Sequence, residues 1–246
     1  MNTTPSTYTI NHWGSLSEDK LVSLIVDKVS DVGLCVLPHY FDASFCSGAI
    51  KKIQHLAHQS ETLLWQDPLK SDTRIMGIGS IEPNLELRSV RVVERVINAL
   101  YTSPPEAGFT MSGHLKAIEG NLGSGQGWHR DTVKCDQFKA LVYLSEVDAE
   151  SGPFQYYLKT ASERAMRACE KAYGLSSLEN RIKVDPTHIL PQQRCVELSA
   201  GAGTLVFANT RAIHRGKPIL RGERFALTTY YWKSEIPPHM VKFVNS

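Results

Sequence analysis

Two residues in the stretch GWHRDTVKCD, at positions 127–136, have types and spacing that could do chemistry. His129 and Asp131 are two residues apart, so on an extended strand their side chains lie on the same face, roughly 6–7 Å apart at the Cα atoms. An imidazole and a carboxylate placed in this way can bind one metal ion. Arg130 then lies on the opposite face of the strand and is expected to point away from the metal.

The triplet His-Arg-Asp has two other interpretations, the catalytic loop of a protein kinase and a polar surface turn. A kinase needs an Asn five residues after the Asp, where this chain has Asp136, and it also needs a Gly-rich loop, a strand lysine and a DFG triplet. The sequence does not contain these elements in order. For His129 alone, a surface histidine or a satisfied core histidine remains the alternative.

His214, in the segment GTLVFANTRAIHRGKP, is the best candidate for a third ligand from a distant strand. Two histidines and one carboxylate on one face of an octahedral ion form the facial triad of non-haem Fe(II) oxygenases, because three coordination positions stay open for substrate and O₂. His129, Asp131 and His214 are therefore the candidate metal ligands and catalytic residues.

The sequence resembles the Fe(II)/2-oxoglutarate-dependent dioxygenases, and in particular their phytanoyl-CoA dioxygenase-like branch. The resemblance rests on WHRD at 128–131, ALVYLSEVDAESGPFQYY at 140–157 and AGAGTLVFANTRAIHRGKP at 200–218, followed by Arg224. In that family an arginine about ten residues after the distal histidine binds the far carboxylate of 2-oxoglutarate. The resemblance thus implies Arg224 in this role rather than Arg221, which lies in a turn, and it implies Lys116 and Thr132 as further contacts of this cosubstrate.

The resemblance also implies a reaction. Fe(II), 2-oxoglutarate and O₂ would together hydroxylate a small molecule, such as a secondary metabolite or a sugar-like compound, with release of succinate and CO₂. Related halogenases have Ala or Gly at the position of Asp131, so the acid favours hydroxylation over halogenation. Desaturation, epimerisation and cyclisation by the same centre remain alternatives, as does a non-catalytic, cupin-like metal-binding protein.

The elements that must position these residues divide the chain into a helical part, about 15–105, and a β-rich part, about 110–235. Apolar periodicity predicts helices that end near Gly33, that begin at Asp42, and that span about Leu85 to Tyr101. Short β-like runs without alternating long helices predict an antiparallel sandwich or barrel, interrupted by a helical insertion at about 160–180. With the resemblance, the expected fold is mainly β with flanking helices, a double-stranded β-helix or cupin-like jelly roll, in a single domain of residues 1–246.

Composition argues against several classes of partner. The chain has 27 Lys and Arg against 25 Asp and Glu, and these charges are scattered, so a nucleic-acid partner is disfavoured. The absence of a long apolar run and of a secretory pattern at the start predicts a cytoplasmic protein without a membrane partner. Five cysteines without a CxxC spacing predict reduced thiols rather than disulfides or a zinc site. The expected partner is a small-molecule substrate, and a homodimer is compatible with the sequence.

Two further features are weaker candidates for the site. Arg74 lies in a stretch expected to be irregular, where a loop could place it against an anionic or polar substrate. Residues 160–193 could cover the active site as a lid, or could form a plain surface helix.

Overall fold

The computed structural model of the chain describes residues 4–59, 63–103, 105, 107–132, 135–174, 180–182 and 185–232. The helices are α1 (Glu18–Val32), α2 (Ala43–Leu56), α3 (Ile78–Ile81), α4 (Arg91–Leu100) and α5 (Glu163–Tyr173). The strands are β1 (Leu34–Leu37), β2 (Leu64–Gln66), β3 (Asp72–Ile75), β4 (Ala107–Lys116), β5 (Phe138–Tyr143), β6 (Phe154–Tyr157), β7 (Cys195–Leu198), β8 (Leu205–Asn209), β9 (His214–Gly216) and β10 (Glu223–Trp232).

The strands form two antiparallel sheets. The major sheet has the order β1-β8-β5-β10-β4-β3-β2, and the minor sheet has the order β7-β6-β9. Residue 129 extends the minor sheet beyond β9 through a bridge to His214, and it makes a second bridge to Arg181 on its other side. This arrangement confirms the expected jelly roll, mainly β with flanking helices.

The alternation of side chains along the strands gives the major sheet two different faces. In β8, Leu205 and Phe207 belong to the buried cluster that includes residues of α1 and α4, whereas Val206 and Ala208 pack with residues of β6 and β7. The N-terminal helices therefore cover one face of the major sheet, and the minor sheet covers part of the other. The site described below lies on this second face.

Local signals in the sequence define α1 and α2. The Ser17 hydroxyl accepts a hydrogen bond from the backbone N–H of Lys20 at the start of α1, and Gly33 ends this helix with φ of 88°. At the start of α2 the Asp42 carboxylate accepts from the Phe45 N–H at 2.7 Å. Such caps satisfy backbone donors that a helix leaves without partners, and both helices confirm the prediction.

The third predicted helix begins later than expected. Residues 83–85 and 87–89 form short 3₁₀ turns, and α4 starts only at Arg91. The Glu86 carboxylate accepts hydrogen bonds from both the backbone N–H and the guanidinium of Arg88, and this local bonding competes with a continuous helix.

The stretch around Arg74 is a strand and not the irregular segment that was expected. β3 pairs with β4 along its length, with Asp72 opposite Leu115 and Ile75 opposite Ser112. The insertion forms α5 as predicted, although residues 175–179 lie outside the described part of the chain. None of the helices in the described part combines the length and the apolar character needed to cross a membrane.

Substitution of Gly33 by Ala tests how the end of α1 is fitted to the minor sheet. A Cβ at this position would clash with the Tyr156 hydroxyl, which donates to the Asn209 carbonyl at 2.8 Å. Positive φ alone costs an alanine about 1–2 kcal/mol, and overpacking adds about 1–3 kcal/mol. We expect Gly33→Ala to lower the free energy of unfolding in urea by about 2–5 kcal/mol.

Gly174 provides the matched control for this prediction. It ends α5 with φ of 62°, and a Cβ there would meet no atom of the described residues within 4 Å. Gly174→Ala is therefore expected to cost only the roughly 1–2 kcal/mol of backbone strain. Equal losses in the two variants would show that the contact with Tyr156 has no energetic effect.

Candidate metal centre

Reciprocal backbone hydrogen bonds bring the two predicted histidine ligands side by side. The His129 N–H donates to the His214 carbonyl at 2.9 Å, and the His214 N–H donates to the His129 carbonyl at 3.0 Å. Residues that exchange both bonds lie directly opposite each other in an antiparallel pair, with their side chains on the same face. The Asp131 N–H donates to the Thr210 carbonyl at 2.9 Å, which fixes the third residue on the same side.

The three predicted side chains converge. One donor atom from each of His129, Asp131 and His214 lies within 4.8 Å of the other two. The Nε2 atoms of His129 and His214 are each 3.6 Å from a carboxylate oxygen of Asp131. These separations suit three neighbouring ligands of one first-row metal ion, whose bonds to nitrogen and oxygen are about 2 Å long.

Both imidazole rings are held by their other nitrogen. Nδ1 of His129 lies 2.8 Å from the Gly127 carbonyl, and Nδ1 of His214 lies 2.9 Å from the Ala212 carbonyl. A carbonyl can only accept, so these contacts assign the proton of each neutral ring to Nδ1. The lone pair of each Nε2 is then directed towards the centre of the triad, as in other histidine metal sites.

A buried lysine sets the charge of the carboxylate. The Lys139 ammonium lies 2.6 Å from Oδ2 of Asp131 and 3.5 Å from the centre of the Tyr230 ring. Burial acts to raise the pKa of Asp131, but the Lys139 charge and the nearby histidines outweigh it and hold that pKa well below its usual range. Burial lowers the pKa of His214 to about 3, and His129 adds to this effect. At neutral pH the site therefore presents an ionised carboxylate and a neutral His214 imidazole, the forms that bind metals.

Lys139 was not among the residues predicted from the sequence. It lies in QFKALVYL, an otherwise apolar strand, and a single lysine in such a run was the available signal. Strand alternation places Lys139 on the same face of β5 as Leu141, which also lines the cavity.

Arg130 points away from the triad, as predicted. Its side chain is fully buried and lies 3.5 Å from Oε1 of Glu170 in α5. The Arg130 N–H also donates to the Asn180 carbonyl, and the Ile182 N–H donates to the Trp128 carbonyl. The insertion is thus attached to the metal-binding segment through both a side chain and the backbone.

The triad opens into a cavity of about 240 Å³ between the two sheets. Its lining includes residues from five strands of the major sheet, namely Arg74 of β3, Met111 of β4, Lys139 and Leu141 of β5, Val206 and Ala208 of β8, and Arg224, Thr228 and Tyr230 of β10. Asn180 and Arg181 contribute from the end of the insertion.

Arg224 lies in this cavity, and its environment leaves donors for a ligand. The residue is only 4% exposed, and its Nη1 donates to the Gly152 carbonyl. Its Nε is buried and has no hydrogen-bond partner in the described part of the chain. Burial lowers the pKa of Arg224, and the nearby charge of Arg74 acts in the same direction. Arg221 is instead largely exposed and pairs with Asp148 at 2.9 Å, so the structure places only Arg224 of these two at the cavity.

Neither Lys116 nor Thr132 lines the cavity. Lys116 ends β4 on the face opposite to Met111 and Leu115, and its ammonium is 4.0 Å from Glu223 near the surface. The pleat of the strand is the reason, because an even-numbered residue of β4 faces away from the triad. Thr132 contacts the Cys135 thiol at 3.8 Å. The cavity lining thus lacks both residues, and their role as cosubstrate contacts stays a prediction.

His114 shares the outward face with Lys116. Its ring stacks on Phe225 and its Nε2 lies 3.1 Å from Glu223. Arg74 does line the cavity, from β3, and its guanidinium pairs with the Asp72 carboxylate at 2.6 Å.

Comparisons with known proteins place this fold among non-haem, 2-oxoglutarate-dependent enzymes. No family model matches the sequence, and a search of curated proteins finds no match. The structure of the epimerase SnoN with Fe³⁺, alpha ketoglutarate and nogalamycin RO has a TM-score of 0.66 and 13% identity, and the match covers 93% of this chain and 90% of that one. The carbocyclase SnoK from nogalamycin biosynthesis has a TM-score of 0.64 and 15% identity, with coverage of 94% and 92%.

HygX from Streptomyces hygroscopicus, with nickel, 2-oxoglutarate and hygromycin B bound, has a TM-score of 0.55 and 13% identity, with coverage of 88% of each chain. At such low identity these likenesses establish the fold. This chain shares the fold of SnoN, SnoK and HygX over nearly its whole length.

Proposed function

We propose that this protein is an Fe(II)- and 2-oxoglutarate-dependent oxygenase that hydroxylates a small molecule and belongs with the phytanoyl-CoA dioxygenase-like enzymes. The observation that carries the proposal is a single cavity that contains both the triad of His129, Asp131 and His214 and the buried guanidinium of Arg224. The shared fold supports it, since SnoN and HygX were crystallised with a metal and this cosubstrate.

The donor set fits Fe(II). Two neutral imidazoles and one carboxylate would occupy one face of the ion and leave the face towards the cavity open. The contact of Lys139 with Oδ2 of Asp131 would hold this carboxylate in place as a ligand. When bound, iron and 2-oxoglutarate supply the activation of O₂, coupled to the conversion of 2-oxoglutarate to succinate and CO₂.

Arg224 fits the far carboxylate of 2-oxoglutarate. A buried guanidinium with a donor that lacks a partner is costly to maintain, and a carboxylate in the cavity would accept from it. The planar fork of arginine binds a carboxylate with two parallel hydrogen bonds, which fixes the direction of the ligand as well as its position. Arg224 thereby orients the cosubstrate relative to the triad.

The insertion helps to close the cavity. Asn180 and Arg181 line it, and the backbone of 180–182 is hydrogen-bonded to the metal-binding segment. The Arg181 guanidinium donates to the carbonyls of Gly125 and Gln126. We therefore assign to the insertion the role of excluding water from the reaction, as lids do in many enzymes.

A second candidate function is epimerisation or ring closure by the same centre. It is favoured by the comparison with SnoN, an epimerase, and SnoK, a carbocyclase. Both reactions use hydrogen removal at the metal but end without a new hydroxyl group. The triad and Arg224 serve either outcome, so the position of the substrate in the cavity decides between them.

Removal of His214 tests the metal site. We expect His214→Ala to weaken binding of Fe(II) or Co(II), measured anaerobically by calorimetry, by at least about 100-fold, since loss even of an outer partner of a ligand costs 10- to 100-fold. His114→Ala is the matched control, because its ring lies on the opposite face of the sheet. Unchanged metal affinity in His214→Ala would contradict the site.

Replacement of Arg224 tests the cosubstrate site. Breaking a buried, charge-assisted hydrogen-bond pair costs about 2–5 kcal/mol, so Arg224→Gln should raise the KM for 2-oxoglutarate on the order of 100-fold, measured by succinate release. Its affinity for metal should stay within a few-fold of the original protein. Arg221→Gln, at an exposed arginine, is the control. Metal binding with no response to 2-oxoglutarate in the original protein would instead favour a non-catalytic cupin-like protein.

Product analysis separates hydroxylation from the second candidate. A metabolite extract is incubated with the protein, Fe(II), 2-oxoglutarate and isotopically labelled O₂, and is then analysed by mass spectrometry. We expect one compound to be replaced by a product that has gained one labelled oxygen atom, and Asp131→Ala should abolish the change. An isomer of the same mass would show epimerisation instead, and a product that has lost two hydrogen atoms would show ring closure or desaturation.

A further inference from the structure

We propose that the substrate carries a carboxylate, which binds in the cavity to the free edge of the Arg74 guanidinium with help from Ser124. This inference rests on the proposed function, because it specifies the substrate of that site. Arg74 and Ser124 both line the cavity, and the guanidinium lies 3.4 Å from the Ser124 hydroxyl oxygen.

The register of the major sheet places Arg74 on the cavity face. Arg74 is paired with Gly113 of β4, and Gly113 is paired with Ala226 of β10, so the three residues form one row across the sheet. A Cβ at Gly113 would meet no atom within 4 Å. The space beside Arg74 is therefore open towards β10, where Arg224 and Thr228 flank Ala226.

Arg74 is held in place with part of its hydrogen-bonding capacity unused. Its Nε lies 3.1 Å from each oxygen of the Asp72 carboxylate, and its Nη2 lies 2.6 Å from one of them. The Trp65 ring packs on the guanidinium at 4.8 Å. A guanidinium has five N–H donors, and the two on Nη1 have no partner among the residues that the structure describes. An acceptor group in the cavity can take both.

This position is adjacent to the triad. Ser124 is followed by Gly125, where a side chain would clash with the His129 ring, so the loop lies directly on a proposed metal ligand. A carboxylate on the Nη1 edge of Arg74, beside Ser124, would hold the substrate next to His129. Arg74 would thus act as a specificity-determining residue, since it selects the charged end of the substrate and fixes which carbon faces the metal.

The charge of the assembled cavity favours the same class of substrate. The formal charges of Fe(II) and 2-oxoglutarate cancel, as do those of Asp131 with Lys139 and of Asp72 with Arg74. Arg224 and Arg181 then leave the cavity net positive. In a site of low dielectric constant this charge strengthens the binding of an anion, and a neutral substrate would leave it uncompensated.

The test compares carboxylic acids with their amides, which have nearly the same shape but no charge. Aromatic and alicyclic acids, including benzoate and cyclohexanecarboxylate, are titrated by calorimetry into the Mn(II)-loaded protein with saturating 2-oxoglutarate, which occupies the site at Arg224. We expect at least one acid to bind about 10- to 100-fold more tightly than its amide, the usual effect of a charge-assisted hydrogen bond. Equal affinities throughout, or no binding by any acid, would overturn the proposal.

A further variant tests whether Arg74 causes the preference for acids over amides. It is chosen so that no buried carboxylate is left without a partner. Asp72 is only 1% exposed, so Arg74→Gln alone could unfold the chain. The double variant Asp72→Asn, Arg74→Gln removes both charges, and in a folded double variant the preference for the acid should disappear. Its persistence there would show that Arg74 serves only as a partner for Asp72.

Two controls separate this proposal from the proposed function. Arg181→Gln removes another positive charge from the cavity rim and should retain most of the preference for the acid. Arg224→Gln, tested without 2-oxoglutarate, should also retain it, whereas loss of acid binding there would place the acid in the cosubstrate site and overturn the role of Arg74. Failure of the protein to bind 2-oxoglutarate would contradict the proposed function. The preference for the acid in the variants would still test the role of Arg74, because its measurement does not require 2-oxoglutarate.

Discussion

The reciprocal hydrogen bonds between residues 129 and 214 are the constraint on which the rest of the site depends. They place two imidazoles from distant parts of the sequence side by side, with ring centres 4.3 Å apart. A shift of either segment by one residue would turn its histidine to the other face and separate the two rings. The neighbouring pair of Tyr156 with His214, and the Tyr156 hydroxyl bond to Asn209, hold β9 in this register. Because the end of α1 packs against Tyr156, the N-terminal helices also contribute to it.

Charge is arranged in the cavity so that Arg224 has no carboxylate partner among the residues that the structure describes. Asp131 pairs with Lys139, and Asp72 pairs with Arg74, so two buried carboxylates are each compensated within the protein. Among the residues that the structure describes, the hydrogen-bond partner of Arg224 is a backbone carbonyl. Buried charged side chains are stable only when they are paired and hydrogen-bonded. A buried charged side chain without an oppositely charged partner, inside a cavity, is typical of a binding site. This arrangement supports the proposal that Arg224 binds an anionic cosubstrate.

Local patterns were sufficient to predict much of this arrangement. The spacing of His129, Asp131 and His214, together with the position of Arg224, predicted four side chains that the structure brings to one cavity. Caps and apolar periodicity predicted α1 and α2, because these signals act within a few residues. The predictions that were wrong concern elements that depend on contacts outside their own segment. β3 has weak local signals and forms by pairing with β4, and the late start of α4 reflects bonds made by the Glu86 side chain.

Lys116 shows that the orientation of a single side chain can also depend on contacts between strands. Its place before the metal-binding segment suggested a contact with the cosubstrate, but the face on which it lies follows from the parity of β4, which only the register with β10 determines. Lys139 is the opposite case, a residue that lies at the site but was not predicted from the sequence. Nothing within β5 indicated its partner, since the Asp131 carboxylate reaches it only after the two sheets have packed together.

The most direct test of the central claim is an anaerobic titration of the Fe(II)-loaded protein with 2-oxoglutarate, followed by visible absorption. If the triad holds iron and 2-oxoglutarate binds to it while Arg224 anchors the far carboxylate, a new absorption band should appear and saturate at one 2-oxoglutarate per iron. Bound iron without any band at saturating 2-oxoglutarate would contradict the account.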